Sequence, residues 1–521
     1  MPEQNSADQY STWVGLIYVF NLIIGTGALT LPAVFSRAGW VLGLTVILVL
    51  AFISFVTVTF VIETMASANA IITWRRIQQR KRVGFLQDSS SHDSDIETLQ
   101  NLGESGTSNS DSEDTPLVVN LPTSPDRLNM TYRYYLIHDK IEMGEMASIF
   151  FNKLGISLFY LCFAVYLYGD LSIYATAVAK SLGDVACTYQ PKNLTCNDTI
   201  PDTELCWDGS EMTRLDAYRM FLTMFIMFLG PFVFFNIQKT KYLQLLTSPM
   251  RWLAFTIMIV YAARKLIVDG PQGNPPTANI SGVPGLFGAC VYSFMCHHSL
   301  PALVAPISNK STINRSLAFD YALIAIFYLL LALTGAFAFE HLDDLYTLDF
   351  GPRGSADCSK STNLPMLIVE YFLALFPVFT LSTSFPIIAI TLRNNLQSLF
   401  LFEDANYNIC FCKLIFPVLA ILPPYLIAMA TKDLSILVGI TGSYAGAGIQ
   451  YLIPTFLVYN ARRKTNKVIG MGVVNKFASP FRSNFWIWFV LLWAVTCMIL
   501  VSVNLMKVQF SLNFTELNSV E

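Results

Sequence analysis

About eleven stretches of this chain stay apolar for roughly 18 residues or more, long enough to cross a hydrocarbon core of about 30 Å as a helix. They lie at 12–35, 41–63, 150–182, 217–236, 244–267, 284–306, 318–338, 365–390, 413–430, 434–459 and 485–506. A chain that must satisfy its backbone polar groups inside lipid can do so with helices, so the expected fold is an all-α, multi-pass membrane protein. Composition agrees. Of the 521 residues 54% are hydrophobic and 13% charged, against about 25% charged in a soluble domain, too few to cover a soluble surface of this size. A net charge of −3 supplies no basic field for nucleic acid. Ten cysteines in such a length form neither a disulfide-dense scaffold nor a metal pattern.

Residues 1–11 carry no Lys or Arg, so no cleavable signal is expected and the first helix is retained. Short loops rich in Lys and Arg stay cytoplasmic. The clusters Arg75, Arg76, Arg80, Lys81, Arg82 and Arg462, Arg463, Lys464, Lys467, Lys476, Arg482 therefore place the N-terminus, residues 1–11, inside. Spans one and two (12–63) then lead into a cytoplasmic loop, 64–148. Spans three to five occupy 149–268 with an outer loop at 183–216, spans six to ten occupy 269–460, and a basic inner loop fills 461–484. Span eleven (485–506) leaves the C-terminus, 507–521, in a lumen or outside the cell. Among the sequons, Asn193, Asn197, Asn279 and Asn513 fall outside and are glycosylation candidates, whereas Asn129, Asn309 and Asn314 fall inside. The outer cysteines Cys187, Cys196, Cys206 and Cys358 are disulfide candidates whose connectivity spacing does not fix.

Residues 84–126 hold nine acidic residues, many Ser and Thr, and no Lys or Arg. Such a segment buries too little apolar area to offset chain entropy, and disorder is expected. It is either a solvated tether or a phosphorylatable or sorting segment offered to a cytosolic partner, with Glu113–Val118 ("EDTPLV") and Tyr134–Ile137 ("YYLI") as adaptor-like signals. These signals lean toward an endomembrane such as the lysosome over the plasma membrane.

Two spans are interrupted. In "YVFNLIIGTGALTLPAVF" the run Gly25-Thr26-Gly27 lies near mid-depth, after Asn21 and before Pro32, which suits an opened backbone; close helix packing is the other reading of such small residues. In "FGACVYSFMCHHSLPALVAPI", Ser293, Cys296, His297, His298 and Ser299 precede Pro301. Adjacent histidines on a helix point about 100° apart and do not chelate one metal. A core histidine satisfied by a carbonyl is the bland alternative to a functional one. The breaks head spans one and six, and once the inner loop is set aside spans one to five and six to ten have nearly equal lengths. Five being odd, the second unit enters from the opposite face, an inverted five-plus-five repeat plus one extra helix. Matching broken helices in two halves point to a binding site between them.

Span eight crowds Thr380, Ser382, Thr383 and Ser384. Thr380 shares a helix face with Thr383 and Ser384, so these hydroxyls either bond to their own helix or, with Asn21, complete a sodium site. Asp170 in span three, near membrane depth, and His297 are the groups whose titration would carry proton coupling.

"VFNLIIGTGALTLPAVFSRAGWVLGL" resembles the opening of the amino acid/auxin permease family, with Asn21, Gly25, Gly27, Pro32, Gly39 and Trp40 at the matching places. "LVGITGSYAGAGIQYLIPTFLVY" is similar to that family's tenth helix, with Gly439, Gly442 and Pro454. Within it, "YGDLSIYA", "QKTKYLQLLTS", "VYSFMCHHSLPAL" and "FPIIAITLRNN" look most like the transmembrane protein 104 group, whose name implies no substrate. The wider resemblance implies a leucine-transporter-like core that carries amino acids with sodium or proton coupling. The His297-His298 pair departs from the wider family's pattern.

The reading is therefore a secondary active transporter of amino acids or related small zwitterions. The substrate would bind at Asn21, Gly25, Thr26, Gly27, Ser293, Cys296 and His297, and a cation at Asn21, Thr380, Thr383 and Ser384. The bilayer and a small-molecule substrate are the expected partners. No cofactor beyond a coupling sodium ion or proton is expected, nor any metal centre or nucleic acid. No enzyme activity is expected, because no nucleophile with a paired base and no phosphate-cradling loop occurs. The alternative is a non-transporting nutrient sensor or scaffold on the same fold, signalling through the 64–148 loop.

Overall fold

The computed structural model describes residues 9–91, 134–189, 191, 200–235, 241–351, 364–401, 409–470 and 473–520, and helix is the only extended secondary structure among them. Among the described residues eight helices are long and apolar enough to cross a membrane, and a bent pair makes a ninth. The bent pair is α1 (Thr12–Ile23) and α2 (Thr26–Ala38), inclined by 55°. It is followed by α3 (Trp40–Ser91), the short α4 (Met143–Phe150), α5 (Lys153–Ala186), α6 (Arg214–Leu229) and α7 (Lys241–Val268). The remainder comprises α8 (Val283–Ser293), α9 (Leu300–Val304), α10 (Ile313–Ala338), α11 (Leu364–Phe400), α12 (Ile409–Ala430), α13 (Leu434–Thr441), α14 (Ile453–Val468) and α15 (Asn484–Val520). The expected stretches 244–267 and 284–306 fall on α7 and on the α8–α9 pair, outside the set of nine. The physical reasons are visible: α7 carries Arg251, Arg264 and Lys265, and the sixth stretch is broken into two short helices.

Two packed groups organise the bundle. The pair α1–α2 lies against α8 and α10, and α3 lies against the same two helices; α5, α6, α11 and α12 form the second group, with α5 against α11 the most extensive pairing. Between the groups, α7 rests on α10 and α11, while α13 and α14 rest on α5 and α3. Helix α5 shows how sequence sets orientation. Leu154, Leu158, Leu161 and Val165 are exposed at helical spacing, while Tyr166, Leu167, Asp170 and Leu171 are buried, so one stripe faces lipid and the other the bundle. Helix α13 passes into α14 through two π-helical turns, Gly442–Gly446 and Gly448–Leu452, where Gly442 presses on the Gly288 carbonyl of α8 so closely that no Cβ fits.

Three features differ from the sequence-based expectation. Helix α3 does not stop at 63 but runs to Ser91, and the expected inner loop also yields α4, closed by a capping box between Glu142 and Glu145. The Tyr134–Ile137 segment is not a free linear signal. Tyr135 and Ile137 are buried, and Asn69 of α3 accepts from the backbone N–H groups of His138 and Asp139 at 3.2 and 2.9 Å. A buried ion pair also ties α3 to α14: the Arg462 guanidinium meets both Glu63 oxygens at 2.7 and 2.8 Å, and Glu63 accepts from the Ser479 N–H at 2.9 Å.

Cys187 and Cys206 form a disulfide. Cys196, Cys358, Asn193, Asn197 and Glu113–Val118 lie outside the described residues, as do Asn129 and the side chain of Asn513. Asn279 sits in the α7–α8 connection, where its amide donates to the Arg37 carbonyl at 3.0 Å.

At the end of the bundle where α2 meets α3, the 339–351 connection folds inward. Tyr346 donates its N–H to the Leu29 carbonyl of α2 at 3.0 Å. Lys180 of α5 pairs with Asp343, at 3.1 Å, and with Asp344, and Asp344 accepts from the Leu434 N–H of α13 at 2.6 Å. Burial, with Asp343 adding to it, pushes the Asp349 carboxyl well above the usual carboxylate range. A raised folded-state value means stability that is full at acid pH and is lost as pH rises through it. Asp349→Asn is expected to flatten that dependence in thermal unfolding followed between about pH 4 and 7.

The α2–α3 hinge is a glycine for steric reasons. Gly39 adopts φ 93° and ψ 149°, a region essentially closed to other residues, and a Cβ there would lie 2.9 Å from the Ala278 nitrogen. Gly39→Ala is expected to cost about 2 kcal/mol and to lower the thermal midpoint. Gly25→Ala, where a Cβ meets nothing within 4 Å, is expected to leave it nearly unchanged.

Candidate functional site

Breaking a helix inside an apolar bundle strands backbone groups without their helical partners. The carbonyls at the end of α1 and the N–H groups at the start of α2 are such groups, and the end of α8 strands others. The fold brings the two breaks together. Thr26 Oγ1 lies 3.1 Å from the Tyr292 hydroxyl of α8, and Gly27 lies so close to α8 that a Cβ would come within 2.7 Å of Ser293 Cα. Tyr328 of α10, fully buried, shares its hydroxyl between the Ile23 carbonyl at 3.0 Å and the Ser293 carbonyl at 2.9 Å. One side chain thus satisfies the last carbonyls of both broken helices.

A cavity of about 720 Å³ opens beside the breaks and reaches toward Gln9 and Tyr10 at the N-terminal end of the bundle. Asn21, Gly25, Thr26 and Gly27 form one wall, Tyr166, Asp170 and Tyr174 of α5 another, and Tyr292, Met295, His298 and Ser299 a third. Arg251 of α7 and Ser384 of α11 complete it. Asp170 is buried and accepts from the Tyr292 hydroxyl, so a continuous chain runs from the α2 start through Thr26 and Tyr292 to a carboxylate. Arg251 donates to the Asn21 carbonyl at 2.8 Å, in the last turn of α1. The carbonyl end of the broken first helix therefore meets a cation, while Asp170 is linked to the α2 start only through Tyr292 and the Thr26 side chain.

Of the residues singled out from sequence, Asn21, Gly25, Thr26, Gly27, Asp170, His298, Ser299 and Ser384 line the cavity. Gly25 faces open space and Gly27 is also a packing glycine, so both readings of the glycine pair hold, one at each residue. Ser293, Cys296 and His297 lie away from the cavity. The Ser293 hydroxyl donates to the Ala289 carbonyl at 2.7 Å, Cys296 Sγ is 3.2 Å from the Tyr321 hydroxyl, and His297 Nε2 is 2.8 Å from Thr57 Oγ1 of α3. The cavity takes His298 instead, whose ring stands 5.7 Å from those of Phe163 and Tyr166. Both histidines lie in the break between α8 and α9, where the non-helical backbone turns one toward α3 and the next toward the cavity.

In α11 the hydroxyls of Thr380, Thr383 and Ser384 bond to carbonyls of their own helix, at 2.9, 2.8 and 3.3 Å. Thr380 and Thr383 do not line the cavity. Among the described residues no group of three or more His, Cys, Asp or Glu is arranged to hold a metal ion. Arg251, Tyr292 and Tyr328 were not singled out from the sequence. Arg251 carried a usable signal, a charge within an apolar stretch.

Tyr328→Phe leaves two carbonyls without a donor in the bundle interior. It is expected to destabilise the protein by about 1–3 kcal/mol, seen as a lower thermal midpoint in detergent, and a change within error would refute the bridging role.

A family model described as "Transmembrane amino acid transporter protein" matches residues 8–80 and 130–502. Transmembrane protein 104 homolog of Drosophila melanogaster is 51% identical over 511 residues, covering 96% of this chain and 98% of that protein. Transmembrane protein 104 of Homo sapiens is 48% identical over 506 residues, covering 96% and 97%. A homolog from Dictyostelium discoideum is 33% identical over 514 residues, covering 95% and 96%.

Proposed function

The chain belongs to the transmembrane amino acid transporter family, and from that premise we propose that it is a secondary carrier of amino acids or related small zwitterions, working by alternating access. The observation that supports this most is the meeting of two broken helices at a cavity lined by one carboxylate, Asp170, and one guanidinium, Arg251. A zwitterion needs opposite charges a few ångströms apart. Its carboxylate is received by the free N–H groups of Thr26 and Gly27 at the positive start of α2, and its ammonium by Asp170. Binding and release require no covalent step.

The contact pattern supports an inverted five-plus-five arrangement with α15 as the addition. Counting the α1–α2 and α8–α9 pairs as spans one and six, span one rests on six, two on seven, three on eight and four on nine. Span five rests on seven and eight, as span ten rests on two and three. These pairings are the ones expected when every span is advanced by five, whereas the extensive packing of span six on span ten has no counterpart of that size between spans one and five. Rocking of the group containing α1–α2, α3, α8 and α10 against the group containing α5, α6, α11 and α12 would then move the cavity's opening from one face to the other. With the N-terminus cytoplasmic, the Gln9–Tyr10 mouth faces inward and the 339–351 connection closes the outer side.

Asp170 is the one carboxylate among the lining residues, which favours a proton as the coupling ion; the span-eight hydroxyls, engaged with their own helix, favour sodium less. A sensor on the same fold is supported by one feature, the run of α3 from the bundle to Ser91, which joins span two directly to the acidic segment.

Purified protein in proteoliposomes is expected to take up labelled amino acids above empty vesicles under an imposed pH gradient. Gly25→Leu, which fills the cavity beside the break, is expected to abolish uptake, and Asp170→Asn to remove its dependence on the pH gradient. Absence of uptake under both pH and sodium gradients, with ligand-induced thermal stabilisation retained, would instead establish the sensor.

A further inference from the structure

A guanidinium exposed to a cavity within an apolar bundle is costly unless an anion accompanies it. Arg251 donates a hydrogen bond to the Asn21 carbonyl, and among the described residues no carboxylate pairs with it. A single contact of this kind occupies one of five N–H donors. The cavity therefore presents two elements that favour negative charge, the start of α2 at Thr26 and Gly27 and the fork of Arg251, against one carboxylate, Asp170, already holding the Tyr292 hydroxyl. A neutral zwitterion brings one acid group and leaves one of the two anion-binding elements without a partner.

Resting on the carrier reading above, we propose that Arg251 receives a second acid group and that the preferred ligands are amino acids whose side chain ends in a carboxylate. The α-carboxylate occupies the α2 start, the ammonium reaches Asp170, and the side-chain carboxylate meets the guanidinium, whose planar fork matches two carboxylate oxygens. The bond from Arg251 to Asn21 serves this geometry by fixing the guanidinium at the cavity wall. The same bond also gives Arg251 a purely structural role, capping α1, and the test must separate the two.

Thermal stabilisation of the purified full-length protein by glutamate, aspartate, glutamine and asparagine is measured for wild type, Arg251→Gln and Arg251→Met. Glutamate and aspartate are expected to bind wild type about tenfold or more tightly than their amides, the contribution of a hydrogen bond to a charged group, and Arg251→Gln is expected to erase that preference. Glutamine keeps a donor for the Asn21 carbonyl while removing the charge, so an α1 cap alone predicts that Arg251→Gln leaves the acid-to-amide ratio unchanged and that Arg251→Met weakens all four ligands together. Either that pattern, or a wild-type protein that binds the amides as tightly as the acids or binds neither acid, overturns the proposal. Binding of glutamate with the expected ratio but without uptake into proteoliposomes upholds it and removes the carrier reading instead.

Discussion

Hydrogen bonds that rescue the severed ends of two helices hold this bundle together at its centre. Within an apolar bundle every backbone carbonyl needs a donor. Tyr328 meets the ends of α1 and α8 with a single hydroxyl, and Arg251 meets the carbonyl of Asn21. These contacts fix α10 and α7 against the breaks, and the packing of α2 on α8 through Gly27 and Ser293 follows from the same meeting. An uninterrupted pair of helices would need none of these residues and would leave no cavity.

The charges are arranged around the same opening. Asp170 is reached through Tyr292 and Thr26 from the α2 start, and Arg251 stands at the α1 end. Each is stabilised by a helix terminus of complementary sign or by a hydroxyl, so the protein tolerates ionisable groups at a depth where they are otherwise expensive. At the far end, Lys180 and its aspartates bind the 339–351 connection to α5 and α13, while Tyr346 binds it to α2. One segment thus touches both helix groups.

Much of this was legible in the sequence. Hydropathy marked nine of the eleven expected spans, and the Gly25-Thr26-Gly27 run together with the polar cluster before Pro301 marked both breaks. What escaped was rotational or tertiary. Sequence treats His297 and His298 as neighbours on one helix, whereas both lie in the break between α8 and α9 and only His298 faces the cavity. The span-eight hydroxyls had two satisfactory partners, their own helix or a cation, and only the fold shows the first in use. Tyr134–Ile137 read as a linear signal because nothing local announces that Asn69, far away in the chain, accepts from its neighbours. The extent of α3 was missed because hydropathy ends where the apolar run ends, whereas good helix formers such as Arg, Gln and Lys carry the helix onward.

That length changes the mechanics of the molecule. A single helix of 52 residues is a rod of about 78 Å, more than twice what the bilayer core requires. Its buried portion is clamped by the Glu63–Arg462 pair and by contact with α8 and α10. A load taken up near Ser91 therefore acts on a stiff lever arm whose fulcrum is that clamp, and the torque is delivered to the helix packed beside both breaks.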